Sequence, residues 1–210
     1  MGVRPLAIVD YGVGNLRSAQ KAFEHLGQPA VVTSDAAVIA TAPAVVLPGQ
    51  GAFGTCMENL AHAGLAEAVV AAARSGRPFL GICVGMQILF EESEESPGVA
   101  GLGIFRGRVV RFPQRADLKV PHMGWNQLRI RRRVPALSGV ADGDYVYFVH
   151  SYHPEPLDPD IVATTTDYGV EFVSSVGRDN VYAGVFHPEK SQQVGLKLLA
   201  GFVKTIREAA

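Results

Sequence analysis

The chain has 210 residues, 48% of them hydrophobic, which is enough to bury one sizeable core, and we expect one domain over residues 1–210. The 19 basic and 20 acidic side chains nearly cancel, which excludes a strong overall field for attracting nucleic acid or a membrane. Two cysteines cannot build a disulfide framework, and Asp10 interrupts an apolar start too short for a signal peptide or membrane span, so we expect a cytoplasmic protein.

The first half of the chain alternates short apolar runs with helical patterns. Strands are predicted at residues 6–9, 30–32, 44–47 and 79–82, and helices at residues 16–26 and 65–73. This alternation is typical of a parallel α/β sheet.

After an acidic stretch at residues 91–97 the pattern becomes rich in β-strands. Strands are predicted at residues 108–112, 145–149, 161–165, 171–176 and 181–186, and a final amphipathic helix at residues 192–208. No repeat, low-complexity tract or linker marks a domain boundary. We therefore predict a single α/β domain with a central mixed, mostly parallel sheet flanked by helices.

The strongest chemical signal is Cys83, in the sequence Gly81-Ile82-Cys83-Val84-Gly85 between a strand pattern and a helical pattern. This is the form of a nucleophile elbow, in which flanking glycines leave room for a tight turn. The helix N-terminus favours thiolate over thiol, and the backbone N–H of Val84 faces an oxyanion formed at the sulfur. The alternative is a cysteine that only packs where strand meets helix, and the two glycines argue against it.

A thiolate nucleophile needs a general acid, and the best candidate among six histidines is His187, followed by Pro188 and Glu189. In extended backbone His187 and Glu189 point the same way, so Glu189 can orient the ring toward Cys83. Pro188 is expected to stiffen this spacing and to exclude helix. The alternative is a strand end with a surface His and Glu.

A third segment, residues 45–54, runs from a strand into a glycine-rich loop. The backbone N–H groups around Gly49, Gln50 and Gly51 are candidates to complete an oxyanion hole. No Gly-Lys-Ser or Gly-Lys-Thr follows, so we reject a nucleotide phosphate cradle. Taken alone, the loop is also compatible with an ordinary turn.

Three other features receive plainer interpretations. His150 and His153 form a zinc site with His187 in one interpretation, which we disfavour because it leaves the elbow unexplained, and we predict no metal. Residues 129–133 hold four arginines without aromatic neighbours, which predicts a solvated strand face rather than a nucleic-acid patch. Cys56 has no chemical context and is predicted to be a packing residue.

Two motifs, residues 81–87 and 186–191, together resemble the class I (triad) glutamine amidotransferases. Residues 10–16, 47–54, 122–126 and 148–152 also look like the glutaminase subunits of imidazole glycerol phosphate synthases. The resemblance implies a flavodoxin-like fold, L-glutamine as substrate and no cofactor. It also implies a separate (β/α)8-barrel cyclase as partner, which uses the ammonia to make imidazole glycerol phosphate and AICAR in histidine biosynthesis.

The same resemblance implies roles for individual positions. The catalytic triad would be the nucleophile Cys83, the base and acid His187, and the orienting Glu189. The other implied positions are, for the oxyanion hole, Gly49, Gln50, Gly51 and Val84; for glutamine binding, Gln87, Glu95 and the backbone of Ser151 and Tyr152; for the cyclase interface, Asn15, Trp125 and Lys190. Glu95 would pair with the substrate ammonium group.

The sequence departs from the family pattern at two positions, and two rival functions remain open. Gln50 stands where a small apolar residue is expected, and Val185 where Gln is common two residues before the histidine. One rival is the glutaminase subunit of another synthase, of the anthranilate or aminodeoxychorismate type, against which residues 12–16 and 123–126 argue. The other is a catalytically silent regulatory subunit, against which the intact triad argues.

Overall fold

The computed structural model describes residues 3–209. The strands are β1 (Leu6–Val9), β2 (Ala30–Thr33), β3 (Val45–Gly49), β4 (Phe79–Cys83), β5 (Glu92–Ser93), β6 (Gly107–Arg111), β7 (His122–Gln127), β8 (Arg129–Ile130), β9 (Tyr145–His150), β10 (Tyr152–Pro156), β11 (Val162–Asp167), β12 (Glu171–Arg178) and β13 (Val181–Gly184). The α-helices are α1 (Leu16–His25), α2 (Ala36–Thr41), α3 (Phe53–His62), α4 (Ala66–Arg74), α5 (Val84–Gln87) and α6 (Gln192–Glu208). Short 3-10 helices occupy Pro135–Leu137, Pro159–Ile161 and Pro188–Lys190.

The main sheet has the order β2-β1-β3-β4-β13-β12-β11-β8, and its first five strands run parallel. Strands β1, β3 and β4 are buried along their whole length, as expected for strands covered on both faces by helices. Because parallel strands end at the same edge of a sheet, the loops after β1, β3 and β4 meet there. This edge places residues 10–15, the glycine-rich loop and Cys83 side by side.

The second half of the chain is mainly antiparallel, although β5 pairs with β6, and β13 with β4, in parallel. Strands β13, β12, β11 and β8 complete the main sheet, and two smaller sheets have the orders β10-β6-β5 and β7-β9. In the β7–β9 ribbon buried and exposed residues alternate, so one face packs inward and the other faces outward. The outward face carries Met123 and Trp125, which are 62% and 45% exposed.

The predicted α/β class with a mixed sheet is confirmed, and the last helix occupies the predicted residues 192–208. The strand predicted at residues 181–186 ends at Gly184. The predicted arginine strand face is correct only in part, because the strand covers Arg129–Ile130 alone, and Arg129 and Arg131 pair with Glu171. Among residues 3–209, no helix combines the length and the apolar character that crossing a membrane requires.

Candidate active site

Cys83 lies at the sharp turn where β4 passes into α5. It is buried, and its φ of 55° and ψ of −118° lie in a region that non-glycine residues rarely occupy, at a typical cost of about 1–3 kcal/mol. A Cβ on Gly85 would collide with the carbonyl oxygen of Leu47, and a Cβ on Gly49 would collide with the backbone nitrogen of Gly85. The elbow therefore depends on two glycines that let the end of β3 touch the start of α5.

His187 and Glu189 form a buried hydrogen-bonded pair. The ring Nδ1 lies 2.8 Å from Glu189 Oε1, and both side chains are at most 5% exposed. The expectation that Pro188 excludes helix is wrong, because Pro188–Lys190 is a 3-10 helix with proline at its first position. Proline is favoured there because its fixed φ suits a helix and its missing N–H needs no partner. Glu189 thus reaches the ring from a helical turn, not from extended backbone.

The electrostatics of this pair favour the imidazolium form. Burial lowers the pKa of His187, but the proximity of Cys83 and the hydrogen bond and charge of Glu189 outweigh burial and raise the pKa to about 9. Within residues 3–209 the ring Nε2 has no hydrogen-bond partner, although it is buried. His187 and Cys83 line the same pocket, and the raised pKa of His187 favours the protonated ring there.

The glycine-rich loop lies beside the elbow and is fixed by strand pairing and by several hydrogen bonds. Gly49 pairs with Cys83 in the β3–β4 register. The Tyr11 hydroxyl donates to the Pro48 carbonyl at 2.6 Å, and Glu95 Oε2 accepts from the backbone N–H of Phe53 at 2.8 Å. Ser96 Oγ accepts from the next N–H, that of Gly54, at 2.9 Å. Glu95 and Ser96 thus cap α3, whose N-cap position is an alanine.

A cavity of about 240 Å³ opens over Cys83. Its wall is formed by Gln50, Gly51, Cys83, Val84, Gln87, Glu95, Pro121, Val149, His150, Ser151, Tyr152, His187 and Lys190. The volume is below the ~300–1,000 Å³ typical of drug-sized ligands, which suits a single amino acid. The cavity brings together the triad cysteine and histidine, all four predicted glutamine-binding positions and three of the four predicted oxyanion positions. Gly49 lies beneath the wall, against Gly85.

The three predicted interface residues lie on three different elements. Lys190 lines the cavity itself. Asn15 precedes α1, and α1 contacts the Pro188–Lys190 turn. Trp125 lies on the outward face of the β7–β9 ribbon, with its ring 6.0 Å from that of Tyr147.

Two supporting residues were not predicted. Ser191 Oγ donates to the His187 carbonyl at 2.6 Å and accepts from the Tyr147 backbone N–H at 2.9 Å, which fixes the turn that carries the histidine. Tyr11 supports the glycine-rich loop from behind. Both stand inside motifs that the sequence displays, but only the fold shows what their hydroxyl groups reach. The alternative zinc site finds no support, since no group of three potential ligands converges within the described residues.

Comparison with known proteins agrees with this geometry. The family described as "Glutamine amidotransferase class-I" matches residues 7–205. The chain is 55% identical over 202 residues to imidazole glycerol phosphate synthase subunit HisH of Syntrophotalea carbinolica, covering 94% of this chain and 98% of that protein. It is 49% identical over 207 residues to HisH of Moorella thermoacetica, covering 99% and 98%.

Solved structures support the fold. A structure described as a glutamine amidotransferase has a TM-score of 0.74 at 20% identity, covering 98% of this chain and 100% of that one. The structure of PurLQS from Thermotoga maritima has a TM-score of 0.72 at 20% identity, covering 98% of both chains. The chain therefore belongs to the class I glutamine amidotransferase family and, within it, groups with the HisH subunits of imidazole glycerol phosphate synthase.

Proposed function

We propose that this chain acts as one glutaminase domain, the subunit that supplies ammonia to the cyclase of imidazole glycerol phosphate synthase. The single observation that carries the chemistry is the pocket that is lined both by Cys83, at a strained elbow, and by the buried His187. The pathway rests on the HisH relatives, whose identity to this chain extends over nearly its whole length.

The first half-reaction transfers the glutamyl group to sulfur. The Cys83 thiolate attacks the side-chain carbonyl carbon of glutamine, and the carbonyl oxygen becomes an oxyanion. The backbone N–H of Val84 and those of the loop at Gly49, Gln50 and Gly51 are the donors available to hold it. His187 gives its Nε2 proton to the departing nitrogen, the carbon–nitrogen bond breaks, and ammonia leaves a thioester on Cys83.

The second half-reaction restores the enzyme. His187, now neutral, takes a proton from water as the water oxygen attacks the thioester carbon. The carbon–sulfur bond breaks, glutamate leaves, and the thiolate–imidazolium pair is restored. Glu189 stabilises the charged ring throughout and fixes its orientation through Nδ1.

Substrate binding is assigned to the remaining wall of the cavity. Glu95 offers a carboxylate to the α-ammonium group of glutamine, and Gln87 with the Ser151–Tyr152 backbone offers neutral polar groups. Gln87 Nε2 already donates to the Tyr152 carbonyl at 3.1 Å, so these two positions act as one unit.

The partner surface is assigned to the edge around the cavity mouth. Exposed Met123 and Trp125 offer apolar anchors, and Trp125 lines a surface pocket with Ser191 and Gln192, which follow Lys190 in the chain. A (β/α)8-barrel cyclase seated there would cover the mouth and receive ammonia without loss to solvent. Because the net charge of the chain is only −1, its affinity for the partner depends on such local contacts and not on long-range attraction.

The deciding experiment measures glutamate release from glutamine by the purified chain, alone and with the cyclase and its phosphorylated ribonucleotide ligand. We expect strong stimulation in the complex and loss of at least about 10⁴-fold in Cys83→Ala, with complex formation retained. If glutamate is released at the same rate with and without the cyclase, the triad assignment stands but a different synthase partner is favoured. A complex in which Cys83→Ala hydrolyses glutamine normally would disprove the mechanism.

A further inference from the structure

Two buried histidines that take no part in this chemistry lie at the glutamine pocket, and one of them, His150, forms part of its wall. His122 and His150 face each other across the β7–β9 ribbon, with His122 Nδ1 3.1 Å from His150 Nε2. Their residues are 2% and 6% exposed. The other nitrogen of each ring also has a partner, so the pair belongs to a longer chain of hydrogen bonds.

The direction of that chain is fixed at its outer end. Asn126 Oδ1 accepts from the backbone N–H of Gln127 at 2.8 Å, and Asn126 Nδ2 donates to the carbonyl of Asp167 at 2.8 Å. These two backbone partners identify which terminal atom of the Asn126 side chain is the nitrogen and which is the oxygen. The second hydrogen on Nδ2 therefore points to His122 Nε2, 3.3 Å away, which must accept.

The direction is equally fixed at the inner end. His150 Nδ1 lies 2.9 Å from the carbonyl oxygen of Tyr152, which can only accept, so Nδ1 carries the proton. His122 then donates from Nδ1 to His150 Nε2. Both rings satisfy every bond as neutral imidazoles, and burial lowers the pKa of His122 to about 4 and of His150 to about 3, so both are neutral at pH 7.

The chain of bonds ends on the substrate-binding unit. The Tyr152 carbonyl accepts from His150 and also from Gln87 Nε2, at 3.1 Å, and Gln87 belongs to the helix that begins at the nucleophile. The preceding carbonyl, that of Ser151, accepts from the Phe112 N–H at 3.1 Å. Because hydrogen bonds hold both carbonyl groups, the orientation of the Ser151–Tyr152 backbone in the pocket is fixed.

We propose that the neutral relay Asn126, His122 and His150 positions the Ser151–Tyr152 backbone and Gln87 for glutamine, so that His122 and His150 are positioning residues for substrate binding. The inference rests on the proposed glutaminase function and extends it to residues that do not reach the reacting atoms. Because the relay starts on β7, whose outward face bears Met123 and Trp125, it also joins the back of the pocket to the strand assigned to the partner surface.

The kinetic test compares three variants in complex with the cyclase and its ligand. His150→Phe keeps a ring but removes the donor to Tyr152, and we expect the KM for glutamine to rise about tenfold with kcat changed less than about threefold. His150→Asn places an amide N–H where Nδ1 stood and is expected to bring KM back to within about threefold of wild type. His153→Phe is the matched control, because His153 packs on the same Phe112 and Phe172 rings but, within the described residues, makes no bond to the relay.

The outcomes separate this inference from the proposed function. An inactive wild-type complex counts against the glutaminase assignment itself. An active wild type with unchanged KM in His150→Phe, equal KM values in His150→Phe and His150→Asn, or the same KM increase in His153→Phe would each overturn the relay alone.

A second measurement remains decisive if His150→Phe fails to fold. Nitrogen-15 NMR of the wild-type histidines should show protonated Nδ1 and unprotonated Nε2 on both His122 and His150. The near-isosteric Asn126→Asp replaces the fixed donor by an acceptor, which conflicts with the direction set by the Tyr152 carbonyl, so a bond of the relay should break or a ring should become charged, and KM should rise. Wild-type rings protonated at Nε2, or an unchanged KM in Asn126→Asp, would overturn the proposal.

Discussion

The parallel and antiparallel halves of the molecule contribute to the active site in different ways. The parallel half presents Cys83 and the glycine-rich loop on strands whose buried residues are almost all apolar, and their positions are set by backbone contacts between Gly49, Gly85 and Leu47. The antiparallel half presents the proposed acid–base pair and the proposed substrate-binding backbone, and buries polar side chains such as His150 and Ser191. The proposed nucleophile is thus held by close packing, and its proposed partners are held by side-chain hydrogen bonds.

This contrast teaches that the two halves should fail differently. A close-packed backbone tolerates no added volume, so a small change there disturbs folding as well as chemistry. A side chain held by hydrogen bonds can lose one bond with modest structural change while its chemistry suffers. The substitutions below are chosen to break or sharpen this distinction.

The largest combined effect is expected from Gly85→Ala in the parallel half. The added methyl group would collide with the Leu47 carbonyl, so we expect destabilisation by about 3 kcal/mol together with loss of glutaminase activity. Urea unfolding measures the first and glutamate release the second. The control is Gly139→Ala, whose methyl group would meet only the Lys197 side chain and backbone carbonyl, at 3.4 Å or more, and should change stability by less than about 0.5 kcal/mol. Normal stability and activity in Gly85→Ala would refute the close-packing account.

The next largest effect is expected from His187→Asn in the antiparallel half. Asparagine can still bond to Glu189 from near the Nδ1 position but has nothing in place of Nε2, so kcat should fall about 10³-fold or more, while the loss of the charged ring should lower stability by less than Gly85→Ala does. Turnover in the cyclase complex and thermal unfolding check the two parts. His62→Asn, at the exposed end of α3, is the control and should retain full activity. Wild-type turnover in His187→Asn, together with a loss of stability larger than that of Gly85→Ala, would contradict this interpretation.

A smaller effect, seen in the pH profile, is expected from Glu189→Gln. The His187 pKa of about 9 lies above its ordinary 6.5, so the stabilisation of the charged ring is complete below pH 6.5 and is lost as pH rises through about 9. Removing the carboxylate should lower this pKa, so the alkaline limb of kcat/KM should move down by roughly one pH unit. An alkaline limb that stays in place would show that Glu189 does not control the ring.

The smallest effect is expected from Glu95→Gln, at the junction of the two halves. The amide oxygen can still accept from the Phe53 N–H, so stability should be unchanged, but the negative charge for the substrate ammonium is lost and KM should rise about tenfold. Glu95→Ala loses the cap as well and should also lower the stability of the chain by about 1 kcal/mol. If the two variants are equally stable, the cap contributes nothing.

The success of prediction from the sequence also differs between the parallel and antiparallel halves. The parallel strands, the elbow and α6 were predictable because apolar runs, glycine spacing and helical periodicity are local signals. The α2 helix was not predicted, because six small residues carry little periodicity and its start is marked only by Asp35. The pairing of β7 with β9 was not predicted either, because β8 and a 3-10 helix lie between these two strands in the sequence.

The side-chain networks were the least predictable part of the site. His122 and His150 stand in visible motifs, yet their spacing in the sequence does not reveal that they face each other in register. The turn at Pro188 differs from the prediction because proline breaks a helix only in its interior, whereas at a first helical position it is favoured. Such features depend on which strands become neighbours, and that is a property of the whole fold.

The pairing of β13 with β4 has a consequence for how the protein is made. The segment carrying Cys83 leaves the ribosome first, whereas β13 and the His187 turn follow only after the whole antiparallel half has been synthesised. Since contacts between distant segments form only after the intervening loop closes, the thiol has no acid–base partner on an incomplete chain. We therefore expect a nascent or truncated chain that ends before β13 to release no ammonia, and the proposed hydrolytic activity to begin only once the chain is long enough to complete its sheet.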